Sequence, residues 1–219
     1  MGFRLANIDG RAALVAGENY YDLATISNGK LSDDPMQALE KLPTLSALNA
    51  KLSDFESSGL LADVVLCAPV PEPKNVYAVG LNYRNHAEES AMAIPPVPMV
   101  FTKHTSCISG PMDDIQMRSD YVDYEAELVA VIGKSGKNIA QENAWDHVAG
   151  LCVGQDISDR PMQFSAVPPQ FNLGKSFDTF GPIGPVLTGL ESLEDYRSLE
   201  IQCHVSGELR QRDLSLIHI

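Results

Sequence analysis

The sequence predicts a mainly β protein with some helix, an α+β fold whose strands pack as a sandwich or a rolled sheet. From residue 76 onward, short apolar runs alternate with turn residues, as expected for strands joined by tight connections. Helical patterns are sparse after residue 90, and the regular strand–helix alternation of a parallel α/β sheet is missing. A hydrophobic content of 44% over 219 residues supports a substantial core.

The first 67 residues are predicted to form a small α+β module. Asp9-Gly10 lies between two apolar, strand-like runs, and this dipeptide favours a tight hairpin turn. Residues 34–63 look mostly helical, with an interruption at Pro43. Apolar residues recur there at three- and four-residue steps, which predicts a packed helix face. They are Leu45, Leu48, Leu52 and Phe55.

A proline-rich linker is predicted between this module and the main domain. Residues 68–75, APVPEPKN, contain prolines that stiffen the chain and remove backbone donors. The main domain is therefore assigned to residues 76–219. Its predicted strands are NVYAVGLNY, PMVFTKH, DYEAELVAVIG, VAGLCVGQDIS, GPIGPVLT and LEIQCHVSGELR, the last with a turn at Ser206-Gly207. AQENAWDHV is the best helix candidate.

Charge and cysteine usage exclude several classes of partner. The formal charge of −13 and the pI of about 4.7 argue against nucleic-acid binding and against docking on anionic lipid. The four cysteines form no C-x-x-C pair, so free thiols in a reducing compartment are expected. The N-terminus resembles no signal peptide, and no apolar run is long enough to span a bilayer. We therefore expect a soluble cytoplasmic protein.

The stretch DYEAELVAVIG, residues 123–133, places acids and valines on one strand face. Glu125 and Glu127 share that face with Val129 and Val131, because strand side chains alternate. Two carboxylates about 4 Å apart repel by roughly 4 kcal/mol at an effective dielectric near 20. A shared proton, a basic partner or a bound cation would each offset this repulsion. The alternative is an ordinary solvated strand face.

Asp156 extends this acidic group, since it follows the apolar run GLCVGQ at a predicted strand end. If it lies beside Glu125 and Glu127, the three carboxylates form an all-oxygen site. Such a site suits Mg²⁺, Mn²⁺ or Ca²⁺ better than zinc.

Other polar residues form two further constellations. In GLNYRNHAEES, His86 and Glu89 are three residues apart, as a carboxylate-oriented general base would need, although spacing alone favours an ordinary surface helix turn. Donors that could hold a substrate carboxylate or an enolate oxygen are spread over three segments, with surface salt bridges as the alternative. They are Lys103, Arg160, Gln163 and Lys175.

Six stretches, in this order over residues 76–212, together resemble the fumarylacetoacetate hydrolase family. They are VGLNYRNHAEE, PMVFTKHTSCISGP, DYEAELVAVIGK, GLCVGQDISDRPMQF, NLGKSFDTFGP and VSGELRQ. The resemblance implies a mixed β-sandwich roll, a homodimer, and Mg²⁺ or Mn²⁺ held by Glu125, Glu127 and Asp156. It also implies that the His86–Glu89 pair activates water or moves a proton.

The same resemblance gives roles to the basic residues. Lys175 is implied as a catalytic residue, with Arg160 and Gln163 as substrate contacts. Lys103 matches the lysine of the family's F-x-K strand and is likewise expected to bind substrate.

The implied activity is metal-dependent chemistry on a 2-oxo or 1,3-dioxo carboxylic acid through a stabilised enolate. Hydrolysis of a C–C bond in an acylpyruvate or fumarylacetoacetate type of substrate is the leading prediction. The same motifs serve 2-oxo-alkenoate hydratases, 2-hydroxymuconate isomerases and oxaloacetate decarboxylases. A non-catalytic dicarboxylate-binding relative, an inactive fragment and an acidic β domain without a metal are the remaining alternatives.

Two features depart from the family pattern. Family members continue through several more strands after GELRQ, so the main domain is expected to be incomplete at its C-terminus, with an atypical tail over 214–219. Pro161 stands where members commonly carry an acid, which predicts an altered loop between Arg160 and Gln163.

Overall fold

The structure, a computed structural model, describes residues 2–83 and 96–214. Strands predominate and the helices are short, which confirms the predicted α+β class. The strands are β1 (Arg4–Ile8), β2 (Arg11–Ala16), β3 (Asn19–Asp22), β4 (Gly59–Leu60), β5 (Leu66–Cys67), β6 (Val76–Gly80), β7 (Met99–Lys103), β8 (Ile108–Ser109), β9 (Val122–Asp123), β10 (Ala126–Ile132), β11 (Val148–Gln155), β12 (Ser158–Asp159), β13 (Gly181–Thr188), β14 (Glu200–Val205) and β15 (Glu208–Leu214). The α-helices are α1 (Leu23–Ile26), α2 (Pro35–Leu39), α3 (Leu42–Asn49), α4 (Arg160–Gln163) and α5 (Phe171–Gly174). Turns of 3-10 helix cover Leu52–Asp54, Leu61–Asp63, Thr105–Cys107, Gln141–His147 and Leu190–Ser192.

One mixed sheet contains most of the strands in the described part of the chain. Its order is β10-β11-β13-β1-β2-β3-β4, with β5 paired to β1 and β8 paired to β13. The β8–β13 pair is parallel, whereas β10 and β11 run antiparallel. Three two-stranded ribbons lie beside the sheet, namely β6–β7, β9–β12 and β14–β15. The architecture is therefore dominated by sheet, as predicted.

The two predicted hairpin turns are both present. Asp9 and Gly10 have φ values of 49° and 84°, and β1 pairs with β2 in register around them. Ser206 and Gly207 have φ values of 52° and 82° between β14 and β15. Two successive residues with positive φ match the right-handed twist of the flanking strands, which is why Asp-Gly and Ser-Gly suit these positions.

The N-terminal strands join the same sheet as the strands of the main domain. Leu5 of β1 pairs with Leu187 of β13, and both side chains are fully buried in one core. The predicted division at residues 68–75 stays a prediction, but the two parts share a hydrophobic core. The predicted stripe of α3 and the following turn belongs to that core: Leu45 and Leu52 are buried, with Leu48 and Phe55 packed against them.

One local prediction is confirmed and one is wrong. The predicted helix AQENAWDHV is present as a 3-10 helix over Gln141–His147. The predicted continuous strand over 123–133 is interrupted between β9 and β10. The Asp156 N–H still donates to the Glu125 carbonyl at 2.9 Å, but the Asp156 carbonyl accepts from the Ser158 hydroxyl at 2.9 Å.

Two chemical expectations concern thiols and membranes. All four cysteines are free, and Cys107, Cys152 and Cys203 are buried. Within residues 2–83 and 96–214, no helix is both long and apolar enough to cross a membrane.

Candidate active site

Three acidic side chains meet where β10 begins and β11 ends. The Asp156 N–H donates to the Glu125 carbonyl at 2.9 Å, which places these two residues opposite each other. Glu127 pairs with Gly154 two residues further along the ladder. Val129 and Val131, on the same strand, pack against the hydrophobic core. The acids thus lie at the edge of buried structure rather than on a solvated face.

Lys175, which directly follows α5, binds two of these carboxylates. Its Nζ lies 2.7 Å from Oε2 of Glu125 and 2.9 Å from Oδ2 of Asp156. The third donor goes to Oγ of Ser158 at 2.7 Å. Lys175 is 3% exposed. The three hydrogen bonds of Nζ hold the Lys175 side chain in a fixed position.

Lys103, at the end of β7, binds the other oxygen of Asp156. Its Nζ lies 2.6 Å from Oδ1 of Asp156 and also donates to the carbonyl groups of Phe180, at 3.1 Å, and of Lys175. Its donors therefore all point into the protein. The predicted role of Lys103 in substrate binding stays a prediction; in this structure the side chain fixes Asp156 and the backbone at Lys175.

Arg160, the first residue of α4, binds the remaining oxygen of Glu125. Its Nη2 lies 2.8 Å from Oε1 of Glu125 and 2.7 Å from Oδ2 of Asp123. Its Nη1 donates to Oε1 of Gln163 at 2.8 Å. The Arg160 side chain is 28% exposed, so it is the most accessible of the three cationic side chains in the cluster.

Pro161 lies in the first turn of α4, where the side chains of Arg160 and Gln163 are hydrogen-bonded at 2.8 Å; its predicted effect on the loop stays a prediction. Asp159 caps α4, accepting from the Met162 N–H at 2.9 Å, and Pro161 falls in the first turn. The first N–H groups of a helix have no intrahelical acceptor, so proline is tolerated there.

Glu127 differs from the other two carboxylates because no cation binds it within the described residues. Its one hydrogen-bond donor there is the Tyr83 hydroxyl, 3.2 Å from Oε2. Burial, followed by the charges of Glu125 and Asp156, raises the pKa of Glu127 to about 8. Burial and then the charge of Glu127 raise the pKa of Tyr83 well above its ordinary value. Tyr83 is therefore a neutral donor at physiological pH.

The cluster is short of one positive charge when all of its acids are ionised. Three cationic side chains face four carboxylates, counting the side chains of Lys103, Lys175, Arg160, Asp123, Glu125, Glu127 and Asp156. The sequence left open whether a proton, a basic partner or a cation offsets the repulsion of Glu125 and Glu127. Basic side chains offset the repulsion at Glu125. At Glu127 the remaining candidates are a bound proton and a bound cation.

The donor set fits a hard divalent cation in its chemistry, since it consists of carboxylate oxygens. In the arrangement described, however, no three acidic, histidine or cysteine side chains of residues 2–83 and 96–214 are placed to hold a metal ion. The Lys175 ammonium occupies oxygens of both Glu125 and Asp156. A cation bound by the three carboxylates would therefore compete with Lys175.

All predicted site residues within the described ranges lie in this cluster, although their roles stay predictions. His86 and Glu89 lie outside the described residues. Sequence reasoning missed Tyr83, Asp123 and Ser158. Ser158 stands two residues after Asp156, so the alternation of an extended segment was a usable signal, whereas nothing local indicates that Tyr83 contacts Glu127.

The family model for the fumarylacetoacetate hydrolase C-terminal domain matches residues 75–216. The chain belongs to the fumarylacetoacetate hydrolase family. The match begins at the end of the predicted linker and includes every residue of the carboxylate cluster. The resemblance inferred from the six sequence stretches is thereby confirmed.

A similar relative is the mitochondrial oxaloacetate tautomerase fahd2 of Xenopus laevis. It is 41% identical over 171 residues, which cover 76% of this chain and 54% of the relative. The chain therefore spans about half the length of the curated family members it matches. The vertebrate relative is mitochondrial, so the predicted cytoplasmic location of this chain stays a prediction.

Two solved structures of the family share the fold. An HpcE-like protein of Mycobacterium smegmatis superposes with a TM-score of 0.86 at 38% identity, over 97% of this chain and 75% of its own. The maleylpyruvate hydrolase of Sphingobium sp. SYK-6, in complex with manganese(II) and pyruvate, gives a TM-score of 0.78 at 28% identity, over 97% of this chain and 76% of its own. A divalent metal and a 2-oxo acid are thus bound within this family.

Proposed function

We propose that this chain belongs to a divalent-metal-dependent enzyme that interconverts the enol and keto forms of a 2-oxo dicarboxylic acid of the oxaloacetate type. The observation that carries the proposal is the convergence of Glu125, Glu127 and Asp156, of which Glu127 has no cationic partner in the described chain. The 41% identity to an oxaloacetate tautomerase supports this reaction over C–C bond hydrolysis.

The metal site of the proposal consists of Glu125, Glu127 and Asp156. Bound Mg²⁺ or Mn²⁺ would polarise the oxo oxygen and stabilise the negative charge of the enolate. Lys103 keeps Asp156 in place through its bond to Oδ1. The choice between Mg²⁺ and Mn²⁺ is part of the proposal, although the manganese complex of a relative supports a divalent cation.

Lys175 and Arg160 are the proposed substrate-facing cations. The Lys175 ammonium, released from Glu125 or Asp156 by the metal, would donate a hydrogen bond to the enolate oxygen. Asp123 and Gln163 fix the orientation of the Arg160 guanidinium, which remains partly exposed. A planar guanidinium of this kind suits contact with a substrate carboxylate. Proton transfer at carbon is assigned to His86 and Glu89 on the resemblance alone.

Hydrolysis of a C–C bond in an acylpyruvate is the second candidate. The likeness to maleylpyruvate hydrolase favours it, because that relative has the same fold and binds manganese and pyruvate. Both reactions need the same enolate, and the cluster described above serves either one. The homodimer implied by the resemblance also remains a proposal.

The test is an activity assay on the purified protein with two substrates. Enol oxaloacetate and an acylpyruvate are each followed by ultraviolet absorbance with Mg²⁺, with Mn²⁺ and with a chelator. We expect metal-dependent loss of the enol, abolished in Glu127→Gln and retained in Glu142→Gln, whose side chain is exposed. Acylpyruvate cleavage alone would select the second candidate, and activity that survives the chelator would contradict the metal-dependent mechanism.

A further inference from the structure

Tyr83 follows the end of β6 and contacts Glu127, one of the three carboxylates of the proposed metal site. The strand ends at Gly80, and Leu81 has a φ of 52°, so the chain changes direction there. Two residues later, the Tyr83 side chain is partly buried and its hydroxyl donates to Oε2 of Glu127 at 3.2 Å. The contact joins segments 44 residues apart.

The contact selects one oxygen of Glu127. Lysine or arginine binds both oxygens of Glu125 and both oxygens of Asp156. Glu127 instead has a neutral donor on Oε2, while Oε1 receives no hydrogen bond or ion pair from residues 2–83 and 96–214. Oε2 is thus held by a neutral hydroxyl and not by a cationic side chain. Oε1 is the oxygen that could bind a metal ion.

The backbone next to Glu127 is also hydrogen-bonded by a side chain. The Ala126 N–H, on the free edge of β10, donates to Oε1 of Gln211 at 2.9 Å. The start of the strand that carries Glu127 is therefore bonded to the side chain of a distant residue, Gln211. A carboxylate fixed at both its backbone and one oxygen loses little rotamer freedom on binding a metal.

We infer that Tyr83 is a positioning residue for Glu127, whose hydroxyl holds Oε2 so that Oε1 faces a divalent cation shared with Glu125 and Asp156. The inference rests on the proposed function, since it presumes that these carboxylates bind the metal. Groups that orient metal ligands by hydrogen bonding typically change metal affinity 10–100-fold when they are removed.

The test compares Mn²⁺ affinity in Tyr83→Phe with that of the unmutated protein, by calorimetric titration. Tyr77→Phe is the matched control, because Tyr77 lies on β6, the strand that precedes Tyr83, and is 66% exposed. We expect affinity to fall about 10-fold or more in Tyr83→Phe and to stay within twofold in Tyr77→Phe. Unchanged affinity in Tyr83→Phe overturns the inference and leaves the proposed function standing. Failure of the unmutated protein to bind Mn²⁺ overturns both.

A double-mutant cycle separates positioning from a general structural role. In a Glu127→Gln background, Tyr83→Phe is expected to cause no further loss of Mn²⁺ affinity, because the carboxylate that it orients is gone. An equal loss in both backgrounds would show that Tyr83 acts on the fold and not through Glu127, which overturns the inference.

Discussion

The ammonium of Lys103 lies 2.6 Å from Oδ1 of Asp156, and the two side chains are only 6% and 8% exposed. A buried ion pair of this kind contributes little net stability compared with an apolar pair, but removing one partner leaves an uncompensated charge. Lys103 also binds two backbone carbonyls. Lys103 therefore links Asp156 to the backbone at Lys175 and Phe180 on the buried side of the site.

We expect Lys103→Met to destabilise the protein by about 3–5 kcal/mol, because Asp156 and two buried carbonyl groups lose their donor. Chemical denaturation measures this loss. Lys137→Met, at an exposed position, is the control. The double variant Lys103→Met/Asp156→Asn should be less destabilised than the sum of the single variants; strict additivity would show that the two charges do not interact.

Lys175 and a divalent cation are expected to compete for Glu125 and Asp156. Lys175→Met should therefore lower the melting temperature of the metal-free protein, because two buried carboxylates lose their shared cation. Saturating Mn²⁺ should recover much of that loss. The measurement is a pair of thermal melts with and without Mn²⁺. A deficit that is the same in both conditions would mean that the metal does not replace the ammonium.

The raised pKa of Glu127 predicts a pH dependence of stability in the metal-free protein. Its pKa is about 8 in the folded state against an ordinary value of 4.5, so the folded state keeps a proton that the unfolded state loses. The favourable contribution is complete below pH 4.5 and is lost as the pH rises through about 8. The free energy of unfolding should fall by up to about 1.4 kcal/mol per pH unit from this group between those limits.

Chemical denaturation at pH 6 and pH 8 in the presence of a chelator checks this sign. Glu127→Gln should lose much of the difference between the two pH values, whereas Glu142→Gln should keep it. A Glu127→Gln variant with the same pH dependence as the unmutated protein would show that another group is responsible.

Ser158 completes the hydrogen bonding of Lys175 and is fully buried. We expect Ser158→Ala to cost about 1–3 kcal/mol, because the third N–H of a buried ammonium is left without an acceptor. Ser165→Ala is the matched control, since the Ser165 hydroxyl is exposed and donates to the Met162 carbonyl. Equal and small effects in chemical denaturation of the two variants would contradict this account of Ser158.

The sequence predicted those features that local chemistry determines. Strand alternation brought Glu125 and Glu127 to one face, and the turn preferences of Asp9-Gly10 and Ser206-Gly207 located two hairpins. The interruption of the strand at residues 124 and 125 was not predictable, because it depends on hydrogen bonding in a distant segment, where the Asp156 carbonyl accepts from the Ser158 hydroxyl.

Two contacts could not be predicted from the sequence: the ion pair of Lys103 with Asp156 and the hydrogen bond of Tyr83 to Glu127. Both join segments that are distant in sequence, 53 and 44 residues apart. The sequence predicted a substrate contact for Lys103, whereas the packing of β7 against α5 turns its ammonium toward Asp156. Long-range contacts of this kind leave no periodic signal in the chain.

The most direct test of the account is a thermal melt of the unmutated protein with and without excess Mn²⁺, beside Glu127→Gln and Glu142→Gln. Ligand binding to the folded state at 100 times Kd adds about 2.7 kcal/mol of stability. We predict that Mn²⁺ raises the melting temperature of the unmutated protein and of Glu142→Gln, and that the rise is largely lost in Glu127→Gln. A melting temperature indifferent to Mn²⁺, or an equal rise in all three proteins, would contradict the assignment of the three carboxylates to a metal site.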